Sequence, residues 1–394
     1  MIDISICIPT FERSHLIERT LSSLAESLRK SQKKFQVEVV VTDNSSDEKT
    51  ELVVKRYYSS LDIMYHRHQK NIGPLENVSF AYQLATGRYC LYLADDDQLD
   101  FCQVEEICTF LDANTGLNIV FAPWVCISPS GLSTLFYQQK EKIVSIAKGD
   151  YLSLLLFLIK HLALPEIFIF RRQCINLLPM DSPTGQYFLI QVARVIEQTD
   201  LIFWSEPFYL QTIHDPKKER NLQGGHVDAM EQWDQYRGGL EIILAKAKLR
   251  DDEQIKADFL NAINTFVGIR ITIAVRLRLA FQFDTMINNY LLGLRACALG
   301  TENQLPLPIS SLRKLATMEI IFQKAENLDS CDGIYCDLDL NSHEQSFLNQ
   351  QATEIGMPVI LNHTRDSLVL GNHARTILLG GKTYNFDEVS SLLP

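Results

Sequence analysis

The chain has 394 residues, enough for two or three domains at the usual ~150 residues each. Hydrophobic residues make up 46% and charged residues 22%, which excludes a disordered or fibrous chain. A net charge of −11 offers no overall field to attract phosphate backbones, so nucleic acid is not an expected partner.

Nine cysteines, at 7, 90, 102, 108, 126, 174, 297, 331 and 336, form no C-x-x-C pair. Several lie inside apolar runs, as reduced core thiols do, so neither a zinc site nor a disulfide framework is expected. The first residues lack the basic and long apolar regions of a signal peptide. The apolar stretch 151–164 is too short to span a bilayer and is broken by Lys160 and His161. A soluble, cytoplasmic protein is expected, in which the three N-x-S/T matches at Asn44, Asn77 and Asn362 carry no meaning.

In chain order, Ile4 to Ile8 predicts a strand, and Ile17, Leu21, Leu24 and Leu28 predict a helix. Val37 to Thr42 is a β-branched strand that ends in the polar cluster Asp43-Asn44-Ser45-Ser46. A weaker strand follows at 63–66, then a helix through Leu75, Val78, Ala81 and Ala85 with Gly87 as its stop. Tyr89 to Ala94 is a strand that runs into three aspartates, followed by a helix at 104–111 and a strand at 119–122. A helix is expected over 147–164, a strand over 167–171, a helix over 192–196 and a strand over 201–204. Residues 228–298 read as helical, 301–311 as a linker, and the remainder as α/β with strands near 333–338, 358–361 and 376–379. Alternating strands and helices imply a mostly parallel sheet.

Ligands of open parallel sheets bind at the C-terminal strand ends. Three such ends are distinctive: Pro9 to Arg13, Asp43 to Ser45, and Asp95-Asp96-Asp97. Three adjacent carboxylates repel unless hydrated or neutralised by a cation. Oxygen ligands of this kind suit Mn²⁺ or Mg²⁺ shared with substrate phosphates. No G-x-G-x-x-G follows the first strand and no P-loop motif occurs, so phosphates must be met by metal and side chains.

The segments SICIPTFERSHLIERTLSSL, VEVVVTDNSSDEKT and NIGPLENVSFAYQLATGRYCLYLADDDQL together resemble the N-terminal half of family 2 glycosyltransferases, and most of all the sugar transferases of bacterial surface-polysaccharide assembly. The resemblance covers about the first 125 residues. It implies a Rossmann-like GT-A domain and inverting, metal-dependent transfer of a sugar from a nucleotide donor. Carried over residue by residue, Pro9, Thr10 and Glu12 would line the nucleoside pocket and Asp43 would contact the base or ribose. Asn71 and Gly73 match the family's N-x-G turn, with Arg67 in reach of phosphate. Asp95 would sit near the ribose, and Asp97 would bind the metal with Asp96 beside it. The family favours UDP donors.

The resemblance departs from the pattern at the base that takes the acceptor's proton. Gln186 and Tyr187 stand where the family places an acid, and Glu166 and Asp181 are the candidate substitutes. His214, after the strand EPFYLQTIH, is a candidate metal ligand, as a neutral imidazole can be. Lys217, Lys218 and Arg220 beside Gly224-Gly225 could close over phosphates or form a solvated loop. Trp124 and Trp204 could stack on a sugar or sit in the core, and Arg171 and Arg172 could touch an anionic acceptor or cap a strand.

The expected organisation is a GT-A domain over 1–225, a helical segment over 226–300 and a small C-terminal α/β domain over 312–394. Arg270, Arg276 and Arg278 in the helical segment fit a buried helix, a subunit contact or a membrane-surface face for a lipid-linked acceptor. Asp337 and Asp339 form a second D-x-D whose surroundings carry no catalytic pattern. The leading reading is a glycosyltransferase acting on a glycan, a lipid-linked glycan or a small molecule, at the inner face of the membrane if lipid-linked, and able to form a homodimer. The alternative is a catalytically degenerate module that binds nucleotide sugar within an assembly complex.

Overall fold

The computed structural model describes residues 2–31, 34–178, 184–214, 229–247, 249, 253–324, 334–336, 338–355, 358–361, 376–379 and 382–394. They divide into two compact units. The first is Met1–Asn221 with Asp234–Ile263, and the second is Leu222–Trp233 with Asn264–Pro394. The expected helical segment 226–300 is thus shared between them.

The first unit opens β1 (Ile4–Thr10), α1 (Ser14–Lys30), β2 (Val37–Asp43), α2 (Lys49–Lys55), β3 (Ile63–Arg67), α3 (Pro74–Leu84), β4 (Tyr89–Tyr92), β5 (Gln98–Leu99) and α4 (Phe101–Ala113). It continues β6 (Ile119–Phe121), β7 (Trp124–Ile127), β8 (Ser133–Leu135), β9 (Ile143–Ile146), α5 (Tyr151–His161), β10 (Phe168–Arg171), α6 (Tyr187–Val195), β11 (Leu201–Trp204), β12 (Tyr209–Thr212) and α7 (Trp233–Lys246). The sheet order β3-β2-β1-β4-β10-β6-β11-β9 is parallel except at β10 and β9. A second sheet, β5-β12-β7-β8, stands beside it.

Helix α1 forms where the sequence places apolar residues at helical spacing. Leu16, Ile17, Leu21 and Leu24 are buried, while the last turn carries Arg29 and Lys30 near the exposed carbonyls. Helix α3 begins at Pro74, which needs no hydrogen-bond donor at that position. Gly73 before it has φ 97°, a left-handed conformation that glycine adopts without a Cβ penalty.

Parallel register sets the site. Thr10 pairs with Asp43 and Asp43 with Arg67, so the polar ends of β1, β2 and β3 share one edge. Cys7 pairs with Tyr92, and Leu93 N donates to Cys7 O, so the aspartates after β4 arrive level with Thr10. Strand β10 runs the other way between β4 and β6. Its beginning, not its end, therefore reaches this edge. Counting on from the Ile169–Leu91 pair, Glu166 stands at the level of Ala94. Arg171, at the far end of β10, donates to the carbonyls of Leu111 and Leu117 at the opposite edge, the capping alternative rather than the acceptor contact.

At that opposite edge a buried polar network joins β1, β2 and β4. Ser5 Oγ donates to Glu38 and accepts from Gly87 N at 2.8 Å, while Thr86 N and Oγ1 donate to Glu38. A Cβ at Gly87 would meet Ser5 N at 2.7 Å and Ile4 C at 2.9 Å, and backbone cannot yield as a flexible side chain does. Gly87→Ala is expected to destabilise the protein by about 1–3 kcal/mol in chemical denaturation.

The second unit holds the later part of α8 (Glu253–Phe281), then α9 (Met286–Ala298) and α10 (Ile309–Lys324). The expected linker 301–311 is a 3₁₀ turn at Glu302–Gln304 running into α10. Strands β13 (Ile334–Cys336), β14 (Val359–Leu361), β15 (Thr376–Leu379) and β16 (Lys382–Asn385), with α11 (Ser342–Glu354) and α12 (Phe386–Ser390), complete it in the order β14-β13-β15-β16. Its core includes Met318, Ile321, Leu348, Ile377 and Phe386. The α11 N-terminus carries a full capping box between Asn341 and Glu344. Asp339 is exposed; Asp337 lies outside the described residues.

Helix α8 is, among the described residues, long and apolar enough by length and composition to cross a membrane, and half of its most apolar stretch is buried inside the protein. Arg270, Arg276 and Arg278 interrupt its sequence. Arg270 and Arg278 are buried, with Arg278 paired to Asp284 at 3.0 Å, while Arg276 is exposed.

Candidate active site

The loop after β4 carries the three aspartates at the edge defined above, and each has different partners. Asp95 accepts from Thr10 Oγ1 at 2.6 Å and from Arg13 Nη1 at 3.2 Å. Asp96 Oδ2 lies 3.6 Å from the same guanidinium and 3.0 Å from His214 Nε2. Asp97 Oδ1 accepts from Thr212 N at 2.7 Å, and Oδ2 from the Tyr209 hydroxyl at 2.8 Å.

These side chains are nearly removed from water, and their electrostatics follow. Burial pushes Asp95 up to about 6, with Arg13 opposing and Asp96 adding to the rise. Burial, and then Asp96, push Asp97 up to about 8 against its bonds from Thr212 and Tyr209. Burial would lower the Arg13 pKa, but Asp95 and Asp96 outweigh it and raise it. The cluster therefore stores unfavourable negative charge that a cation would relieve.

The second sheet supplies the opposing wall. Antiparallel pairing of β12 with β5 sets Tyr209 against Leu99 and Leu210 against Gln98, directly after the aspartates. That pairing carries His214, two residues past β12, back onto Asp96. Asp96 Oδ2 and His214 Nε2 stand within hydrogen-bonding distance of one another. A carboxylate and an imidazole are both ligand types that a divalent ion would accept, together with water and phosphate oxygens. Among the described residues no group of three or more His, Cys, Asp or Glu side chains is arranged to hold an ion without such help.

The other expected residues lie along the same edge with distinct surroundings. Glu12 has φ 54°, its N–H donates to Ser45 Oγ at 2.7 Å, and its side chain accepts from Ser46. Pro9 immediately precedes Thr10 within β1. Asp43 is fully buried, with Oδ1 accepting from Ser45 N and Oδ2 from the Tyr65 hydroxyl. Both carboxylate oxygens are thus engaged by neighbouring groups of the protein. Arg67 Nη1 donates to Asp47 O, and Nη2 is 3.6 Å from Glu48. Asn71 Oδ1 accepts from Gly73 N, which builds the tight turn before α3.

Glu166 lies in the turn before β10, where Ile167 O accepts from Ala122 N at 3.0 Å. Asp181 lies outside the described residues, as do Lys217, Lys218, Arg220, Gly224 and Gly225. Gln186 is buried at the N-terminus of α6, with its N–H on Gln235 O. Burial, and then Tyr187, push the Tyr92 phenol well up, which places Tyr187 beside the aspartate-bearing strand. Trp124 and Trp204 are buried; Trp124 stacks on Phe136 and donates to Gln211, and Trp204 packs on Phe110.

Four contributors were not assigned roles from sequence. Arg13 bridges Asp95 and Asp96, and Tyr209 holds Asp97. Asn44 clamps the 72–73 turn through both amide atoms. Asn77 donates to Thr10 O and Thr42 O and contacts His68 Nε2 through Oδ1, stitching β1 to β2. A polar residue amid the apolar positions of α3 was the available signal for Asn77.

Residues 5–176 match the protein-family model described as glycosyl transferase family 2. Over this segment the chain is similar to family 2 glycosyltransferases. It is similar to the abequosyltransferase RfbV of Salmonella typhimurium, 31% identical over 120 residues, covering 29% of this chain and 34% of that protein. It is also similar to the GalNAc(5)-diNAcBac-PP-undecaprenol beta-1,3-glucosyltransferase of Campylobacter jejuni, 29% identical over 152 residues, covering 38% and 47%. The matches thus span about a third to a half of these relatives. Among solved structures, S. aureus TarS 1–349 in complex with UDP-GlcNAc aligns over 86% of this chain and 97% of its own, at 17% identity and a TM-score of 0.48.

Proposed function

We propose that this protein is an inverting glycosyltransferase that moves a sugar from a nucleotide-sugar donor to an acceptor hydroxyl with the help of Mn²⁺ or Mg²⁺. The observation that carries the reading is the 3.0 Å pair of Asp96 and His214 at the strand edge that also holds Thr10, Asp95 and Glu166. The names of the similar proteins, which act in sugar transfer, support it.

Asp96 and His214 are the side chains that would hold the cation, and Asp97 keeps them in place. A cation held by these residues would supply positive charge to offset the negative charge that grows on the departing diphosphate. Asp95 and Thr10 orient the ribose, and Arg13 bridges Asp95 and Asp96. The acceptor oxygen attacks the anomeric carbon on the face opposite the leaving diphosphate, which inverts that centre. Glu166 takes the hydroxyl proton as the new bond forms. UDP is the favoured nucleotide. A lipid-linked acceptor at the inner face of the membrane fits the undecaprenol-linked substrate in the name of the Campylobacter relative.

A second reading rests on Gln186. It occupies the helix N-terminus where the family places an acid, and an amide takes no proton at neutral pH. A module that binds nucleotide sugar without turnover would have this feature. A thermal-shift panel of UDP, GDP, CDP and dTDP, each with and without Mn²⁺, followed by assay of nucleotide release from the matching sugar donors, tests both. One nucleotide is expected to stabilise the protein only with metal, as ligand binding to the folded state requires. Stabilisation without release in the presence of candidate acceptors would favour the binding module, and no stabilisation would overturn the donor site.

A further inference from the structure

We infer that Tyr209 is a positioning residue for the cation site: its hydroxyl, shared between Ala94 N and Asp97, fixes the spacing of Asp96 and His214. The inference rests on the proposed metal site and deepens it.

The phenol oxygen is both acceptor and donor. It accepts from Ala94 N at 3.0 Å and donates to Asp97 Oδ2 at 2.8 Å. Asp97 Oδ1 then takes Thr212 N at 2.7 Å, only two residues before His214. The aspartate loop and the His214 strand are thereby closed into one ring of three bonds, and Asp96 sits in that ring between Ala94 and Asp97. Elsewhere the two segments meet through backbone pairing, Asp100 N on Phe208 O and the β5–β12 ladder. The 94–97 turn is closed on itself by Asp97 N on Ala94 O at 3.2 Å, and the Tyr209 hydroxyl ties that turn to the strand leading to His214. Tyr209 is nearly fully buried and stacks parallel to Tyr92 at 6.5 Å, so its hydroxyl has one available direction. Phenylalanine would keep the ring packing and lose both bonds.

Asp97 is therefore engaged by the protein through both oxygens, while the two atoms that face one another across the crevice belong to Asp96 and His214. Partners of this outer kind, which orient ligands without touching the ion, typically alter metal affinity by about 10–100-fold when removed.

The test is a Mn²⁺ titration of the full chain at fixed UDP, followed by thermal shift, on wild type, Tyr209→Phe, Asp97→Asn and the double variant. Thr20→Val serves as control, because Thr20 Oγ1 bonds only the backbone carbonyl of Asp97 at 3.0 Å. Tyr209→Phe is expected to need at least about 10-fold more Mn²⁺ for half-maximal shift, with Thr20→Val unchanged. The double variant should be no worse than the worse single one, since both cut the same ring. If Tyr209→Phe does not fold, Asp97→Asn against Thr20→Val reads the ring from its other end. An unchanged Mn²⁺ midpoint in Tyr209→Phe, or equal shifts in Thr20→Val, would overturn the positioning role while leaving the metal site intact. A wild-type protein that ignores Mn²⁺ would overturn the metal reading itself, and the inference with it.

Discussion

Asp96→Ala is expected to abolish Mn²⁺-dependent stabilisation by nucleotide and to lower sugar transfer by about 10²–10³-fold, the range seen when one electrostatic contact to a developing charge is lost. The expectation follows from position. Asp96 is the aspartate whose oxygen faces His214 at 3.0 Å, whereas Asp95 is engaged by Thr10 and Arg13 and Asp97 by Tyr209 and Thr212. Removing Asp96 also removes one source of the upward push on Asp95 and Asp97. The apo protein should therefore be no less stable, and a melting scan without metal separates a lost ligand from a lost fold. Full Mn²⁺ response in Asp96→Ala would reassign the ion to Asp97.

Glu166→Gln is expected to lower kcat by about 10²–10⁴-fold, as loss of a general base does, with donor binding unchanged. Glutamine keeps the size of the side chain and cannot take the proton. Glu166 stands beside Ala94 because β10 is antiparallel, so the turn that precedes it opens on the same edge as the ends of β1 and β4. If Glu166→Gln turns over normally, the base lies elsewhere, with Asp181→Asn the next variant to assay.

The strand ends at Thr10, Asp43 and Asp95 were legible because each β-branched or aliphatic run stops abruptly in polar residues, and parallel pairing places such stops together. Helices α1 and α3 were legible for the same kind of reason, from apolar spacing and from the stop at Gly87. Of the wall opposite, the strand within EPFYLQTIH was legible. The others are short; Gln98–Leu99 is two residues and Ser133–Leu135 three. Runs of that length carry no readable alternation. Three consecutive aspartates are chemically equivalent in sequence, and only the pairing of β12 with β5 distinguishes Asp96, which faces His214, from Asp97, which is tied to backbone. Asp43 was legible as a strand end, whereas its bond from Tyr65, two positions before the end of the neighbouring strand, was not.

Asp96 and His214 are 118 positions apart, and Asp97 and Thr212 115. A nascent chain that has reached residue 176 already contains the whole stretch matched by the family model, yet it lacks His214, which faces Asp96, and Tyr209 and Thr212, which hold the Asp97 carboxylate. The site is thus completed late in synthesis, when the last strand of the second sheet arrives. Until then the half-made domain gains little from the cation or the nucleotide. Shortened forms ending between the two segments should accumulate as poorly stabilised chains, not as weaker enzymes.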